Sequence, residues 1–247
     1  MNRIVFLGHA TVLIERDGTR LLTDPLLVER VWHLRRRVAP VDRALAGGLS
    51  GVLISHLHQD HLDLASLRLL GSATPLLVPI GAQAWLRRQG FTAVRELDVG
   101  EVDAVGGVEV AAVEAHHDAR RLGGPNAPAI GFLLRGSPSV YFAGDTEIFD
   151  GMARIGSQLD VALVPVSGWG TRLGPGHMDP RQAAEAVSLL APLLAIPIHW
   201  GTYTPIGSAR HRREQFNDPP HEFARHVARL APGVEVRVLA PGESTEL

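Results

Sequence analysis

Three imidazoles and a carboxylate, His56, His58, Asp60 and His61, fall within six consecutive positions directly behind the apolar stretch at 51–54. Neutral nitrogen and carboxylate donors at that density suit a metal ion. If a strand ends at Ser55, His56 and His58 project to the same side, as residues i and i+2 do in extended chain, and both can reach one ion. Asp60 and His61 then face a second. The ordinary alternative is a set of surface histidines on a turn, but a solvated turn has no reason to carry His-x-His-x-Asp-His behind a buried strand. Two ions need further donors, and three later turns offer them: Val113-Glu114-Ala115-His116-His117, Ala143-Gly144-Asp145-Thr146 and Ile196-Pro197-Ile198-His199-Trp200-Gly201. At the first of these, adjacent side chains leave a strand in opposite directions, so only one of His116 and His117 points inward. Paired divalent ions lower the pKa of a shared water towards about 7 and polarise the bond it attacks. The chemistry expected is hydrolysis without a serine or cysteine nucleophile.

Such donors must stand on rigid elements. The apolar spacing of Leu62, Leu64, Leu67 and Leu70 predicts a helix over 63–70, which places the first four ligands on a short strand-to-helix loop. Upstream, 3–9, 11–15 and 20–23 form a strand meander with Asp17-Gly18 as a turn, and 40–48 is a linker to the strand at 51–55. Downstream, strands are expected at 76–79, 108–114, 130–135, 140–143, 161–164, 194–198 and 234–239. Helices are expected at 82–89, 180–190 and 222–230, the second capped by Asp179 with Pro180 in its first position. Two mixed halves suggest two sheets packed face to face with helices outside, in one domain spanning 1–247, although periodicity alone does not separate this from an ordinary mixed α/β domain.

Composition narrows the function. A formal charge of −2 provides no basic field to recruit nucleic acid or an acidic membrane. All 24 basic residues are arginine, which excludes a lysine Schiff base, and the absence of cysteine excludes thiolate nucleophiles, disulfides and iron–sulfur ligation. Any metal is therefore held by nitrogen and oxygen. No apolar run approaches the roughly 20 residues of a bilayer span, and residues 1–7 lead straight into a strand without the apolar core of a signal peptide. The expectation is a cytoplasmic protein with a small, anionic substrate, no nucleic-acid partner and no stable membrane association. Oligomerisation is left open.

The complete donor set, in this order, resembles the metallo-β-lactamase superfamily. That resemblance implies an α/β fold built as a four-layer αββα sandwich, with a dinuclear site between its sheets. Phe6-Leu7-Gly8-His9-Ala10-Thr11, Leu22-Thr23-Asp24-Pro25, His177-Met178-Asp179-Pro180 and Ile198-His199-Trp200-Gly201-Thr202 are similar to one branch, that of the N-acyl-phosphatidylethanolamine-hydrolysing phospholipase D and the ascorbate-6-phosphate lactonase. The resemblance implies one ion at His56, His58 and His117, a second at Asp60, His61 and His199, and Asp145 bridging. It selects His117 over His116 because the branch has a histidine two positions after an alanine. Where the branch has proline and tryptophan this chain has Glu114 and Asp118, so its pocket differs there.

The same resemblance gives His177 a substrate-side role, contacting a phosphate or protonating a leaving group, with Asp60 sharing the proton handling. Zinc is the expected metal, with manganese and iron as alternatives that the same donors suit. The expected activity is attack by a metal-bridging hydroxide on a small phosphorylated molecule or phosphodiester. A lactonase is the nearest alternative, and a non-catalytic metal-binding module is the alternative of another class, against which the filled donor set argues. Asp24 either accepts the free N–H of a ligand histidine or caps the turn before Pro25. His9 is expected to support the site, Arg35-Arg36-Arg37 and the Arg210, Arg212 and Arg213 group to be solvated, and Trp169 either to wall the pocket or to pack under its own loop.

Overall fold

The computed structural model describes residues 2–168, 173–207 and 218–247. Trp169, Arg210, Arg212 and Arg213 lie outside the described residues. In chain order the first half contains β1 (Arg3–Gly8), β2 (Thr11–Arg16), β3 (Thr19–Thr23), β4 (Arg30–Val31), β5 (Leu34–Arg36), β6 (Gly51–Leu53), α1 (Leu64–Leu70), β7 (Leu76–Pro79), α2 (Gln83–Arg88) and β8 (Val94–Leu97). The second contains β9 (Val102–Val105), β10 (Val108–Glu114), β11 (Ile130–Leu134), β12 (Val140–Phe142), α3 (Met152–Ile155), β13 (Val161–Pro165), α4 (Pro180–Leu190), β14 (Leu194–Ile198), β15 (Tyr203–Pro205), α5 (Pro219–Leu230), β16 (Glu235–Val236) and β17 (Ser244–Glu246).

Alternation in β1 sets the layering. Ile4 and Phe6 join the large central cluster, while Val5 and Leu7 join a separate cluster with residues of α1 and α2. A strand apolar on both faces must be covered on both. One sheet has the order β17-β1-β2-β3-β6-β7-β8 and the other β16-β14-β13-β12-β11-β10-β9. Each is antiparallel at one end and parallel at the other. Val12, Leu53 and Leu77 of the first sheet share a core with Val110, Phe132 and Ile196 of the second, and α4 and α5 contribute Val187 and Phe223 to that cluster. The result is the four-layer αββα sandwich. Arg16 ties the sheets together by donating to the carbonyls of Pro138 (2.9 Å) and Arg135 (2.7 Å).

Local signals account for the helices. The Asp63 side chain accepts from the Ser66 N–H, and Gly71 closes α1 at φ +100°. Asp179 and Gln182 form a capping box at α4, with Pro180 inside it. The last helix starts at Pro219 rather than 222, because prolines in a first turn give up no intrahelical bond. The strand expected over 234–239 is only Glu235–Val236, and 40–48 contains the short helical turn Arg43–Ala46. Several short pieces were not expected: β4, β5, β8, β9, β15, β17 and α3. Three of these form a small sheet in the order β15-β5-β4. There Arg36 departs from the solvated expectation: it is buried, donates to Ala39 O (2.9 Å) and Leu7 O (2.7 Å), and lies 5.7 Å over the Tyr203 ring. Among the described residues no helix is long and apolar enough to cross a membrane.

The layout delivers the chemistry. Six strands end just before a residue of interest: β1 before His9, β3 before Asp24, β6 before His56, β10 before His117, β12 before Asp145 and β14 before His199. His9, Asp24 and His199 have φ of +58°, +33° and +62°. Such left-handed backbone is uncommon for side-chain-bearing residues, and it turns each chain sharply at its strand end.

Candidate metal centre

The predicted donors converge in two groups. His56 Nε2 lies 3.1 Å from His58 Nδ1, which lies 3.0 Å from His117 Nε2. His61 Nε2 lies 3.1 Å from His199 Nε2, with Asp60 Oδ2 3.8 and 3.9 Å from those two nitrogens. Asp145 stands between the groups: Oδ2 is 3.0 Å from His61 Nε2 and 3.9 Å from His56 Nε2, and Oδ1 is 3.4 Å from His199 Nε2. His116 turns away. Its Nε2 meets Glu114 Oε1 at 2.7 Å and its ring stacks on Phe149.

The outward hydrogen bonds decide which ring nitrogens carry protons. His61 Nδ1 faces the Asp24 carboxylate at 2.8 Å, His199 Nδ1 the Ser167 carbonyl at 2.7 Å, and His117 Nδ1 the Gly176 carbonyl at 2.9 Å. These oxygens only accept, so each Nδ1 donates. Ser55 gives its one hydroxyl proton to Asp24 (2.5 Å), so His56 Nδ1 must donate to Ser55 Oγ at 3.0 Å. When the four rings are neutral, as ligation of a metal requires, each inner Nε2 is therefore a bare lone pair aimed at the others. Asp145 Oδ1 is buried without any hydrogen-bond partner. Clustered lone pairs and an orphaned carboxylate oxygen repel one another unless a cation lies among them, so the residues fit divalent metal.

Close packing holds this arrangement. A Cβ on Gly144 (φ +62°) would lie 2.6 Å from Ser55 Cβ, and one on Gly176 (φ +77°) would lie 2.7 Å from His117 Nδ1. His9, expected to support the site, hydrogen-bonds Asp60 Oδ2 through Nε2 at 3.0 Å and is itself fixed by Thr202 and by the N–H of His199. His177 lies with Nε2 3.3 Å from Asp145 Oδ2 and its ring 4.7 Å from that of His117. Arg121 escaped the sequence reading. It donates to the carbonyls of Leu57 and Leu62, both at 2.8 Å, and covers Trp85 at 5.2 Å, so it brackets the loop that carries His58, Asp60 and His61. An arginine some sixty residues downstream of that loop carries no local signal of this role.

The metal-free charge balance yields a pH prediction. Burial lowers the pKa of His56, His58 and His117 and pushes His199 down to about 3. Burial also opposes charge on His61 and His177, but Asp145 outweighs it, helped at His61 by Asp60; His61 rises well above its ordinary value and His177 reaches about 9. The four depressed groups take protons only when unfolded, so stability falls as pH drops below their ordinary 6.5. The two raised groups contribute stability that is complete below 6.5 and lost as pH rises through their folded values. Chelator-treated protein should thus show its highest urea midpoint near the ordinary histidine value of about 6.5. A midpoint that is flat from about pH 5 to about pH 9 would sink this account.

A cavity of about 280 Å³ opens over the cluster, and among the described residues its wall holds His58, Asp60, Asp145 and His177 together with Val31, Trp32, Leu34, Gln59 and Arg120 to Leu122. Two facing mixed sheets whose strand ends gather histidines and aspartates around a cleft define a metallo-β-lactamase type of architecture. The family model of the beta-lactamase superfamily domain matches residues 19–200. A UPF0173 metal-dependent hydrolase of Methanopyrus kandleri is 34% identical over 251 residues, covering 99% of each chain. Another, from Metallosphaera sedula, is 32% identical over 254 residues and covers 100% of each. The solved structure of Igni18, a metallo hydrolase from Ignicoccus hospitalis, superposes with a TM-score of 0.76 at 25% identity, over 100% of this chain and 98% of that one. The chain belongs to the metallo-β-lactamase superfamily, in its UPF0173 metal-dependent hydrolase family.

Proposed function

We propose that this protein hydrolyses a small phosphorylated molecule or phosphodiester with two divalent ions, zinc foremost, held by His56, His58 and His117 and by Asp60, His61 and His199, with Asp145 shared. The observation that carries this reading is the set of four imidazoles whose outer nitrogens are committed to protein oxygens, leaving their inner lone pairs around one orphaned carboxylate. Bound ions would acidify a coordinated water and polarise the scissile bond.

The chain's own groups do the rest. His9 holds the Asp60 carboxylate in place, and Asp24 and Ser55 hold the rings of His61 and His56. His177 presents its ring at the cavity wall, where Nε2, 3.3 Å from Asp145 Oδ2, can bind an anionic oxygen or pass a proton to a leaving group. The similarity of the His177-Met178-Asp179-Pro180 segment to the phospholipase-like branch favours a phosphoryl substrate. The cavity volume suits a small molecule, and the net charge of −2 argues against a nucleic-acid substrate.

The test is metal content of the purified protein together with hydrolysis of bis-p-nitrophenyl phosphate by wild type and a His58→Ala, Asp145→Ala double variant. Two ions per chain and metal-dependent turnover that the variant lacks are expected. Two ions with turnover of lactones alone would replace the substrate class, and failure to bind metal after reconstitution would overturn the centre.

A further inference from the structure

We propose that Trp32 and Leu122 form an apolar wall that seats a nonpolar substituent of the substrate, an aryl or alkyl group beside the bond to be cleaved. This deepens the hydrolase reading of the same cavity and rests on it. Trp32 is 68% exposed and Leu122 86% exposed, yet both line the cavity that holds His58, Asp60, Asp145 and His177. Trp32 is also conformationally costly. It is the first of two residues joining β4 to β5, and its φ of +48° is a value that glycine adopts freely and a bulky side chain rarely does. An exposed indole on left-handed backbone serves neither the turn nor the core, and such strain gathers where a side chain meets a ligand.

The hairpin holds that indole in place. Val31 and Leu34 are buried against Leu26 and Tyr203, and β5 pairs with β15, which follows His199 by only a few residues. The Trp32 ring is further supported edge-on by His33 at 4.2 Å. Leu122 follows Arg121, whose two bonds to the ligand loop fix its position. The cavity thus offers charge and donors on one part of its wall and bare hydrocarbon on another, which fits a substrate that is polar only at its reacting end.

Calorimetric titration of the metal-loaded protein with two ligand pairs tests this: phenylphosphonate against methylphosphonate, and phenylacetate against acetate. Wild type should bind the aryl member of each pair about tenfold more tightly, equivalent to about 1.4 kcal/mol, the scale of one well-packed aromatic contact. Trp32→Gly, which suits the backbone, should fold with a similar melting temperature and reduce that ratio to about twofold or less, while Trp32→Phe should keep most of it. Equal affinities within each pair in wild type, or an undiminished ratio in Trp32→Gly, overturns the proposal. An aryl preference seen only among the carboxylates would sink the phosphoryl substrate and leave the apolar wall standing. No binding by any of the four ligands would overturn both.

Discussion

Asp145→Asn should lower turnover at saturating metal by about a thousandfold or more, equivalent to about 4 kcal/mol of barrier, and should reduce the bound metal below two ions per chain. The side chain is nearly inaccessible, and its oxygens reach His61, His56 and His199 at 3.0, 3.9 and 3.4 Å. Among the described residues the other two carboxylates at the site stand elsewhere: Asp60 meets His9, His61 and His199, and Asp24 faces the outer Nδ1 of His61. Two cations held close repel strongly in a buried site, and a shared negative charge is what offsets this. The amide keeps the shape but removes the charge and directs N–H donors toward lone pairs. Metal analysis alongside steady-state rates decides the matter: full stoichiometry with undiminished turnover would remove Asp145 from the bridging position.

The second large effect is expected far from any substrate. Asp24→Asn should weaken metal affinity by about 10- to 100-fold, the usual range for a group that orients a ligand. Asp24 is fully buried and accepts from the Ser55 N–H (2.7 Å), the Ser55 hydroxyl (2.5 Å) and His61 Nδ1 (2.8 Å). An amide has one accepting oxygen in place of two. Whichever partner loses its acceptor, the proton pattern downstream changes: His61 can shift its proton to Nε2, or Ser55 can stop accepting from His56. One carboxylate thus sets the tautomer of a ligand in each group, and competition with a chelator should show both ions weakened. Ser55→Ala should disturb only the ion bound through His56, and an Asp24→Asn protein with unchanged affinity would refute the link.

Much of the candidate centre was legible because its donors are concentrated. His56, His58, Asp60 and His61 declare themselves within one loop, and Asp145 and His199 follow apolar runs that end in turns. The choice between His116 and His117 was not available from alternation alone, and it is Glu114 and Phe149 that hold His116 outward. What escaped depends on distance in the chain. Arg121 reaches carbonyls 64 and 59 residues away, and His9 is fixed by Thr202, 193 residues away. Backbone acceptors such as Gly176 and Ser167 leave no mark in residue type. The long buried strands were readable from their apolar runs, whereas β9 is mostly exposed and β4, β5 and β15 are two or three residues long, too short for a period to emerge.

The Arg121 bracket also constrains how the cleft can breathe. Swinging the 120–122 rim outward would break two charge-assisted hydrogen bonds and a cation–π contact at once, about 3 kcal/mol or more on ordinary scales. That edge therefore behaves as a doorpost, and any motion of it would be felt directly by the loop bearing His58 and Asp60. A small molecule entering the cavity would meet a frame that is already set, and its fit would be registered at the candidate donors themselves.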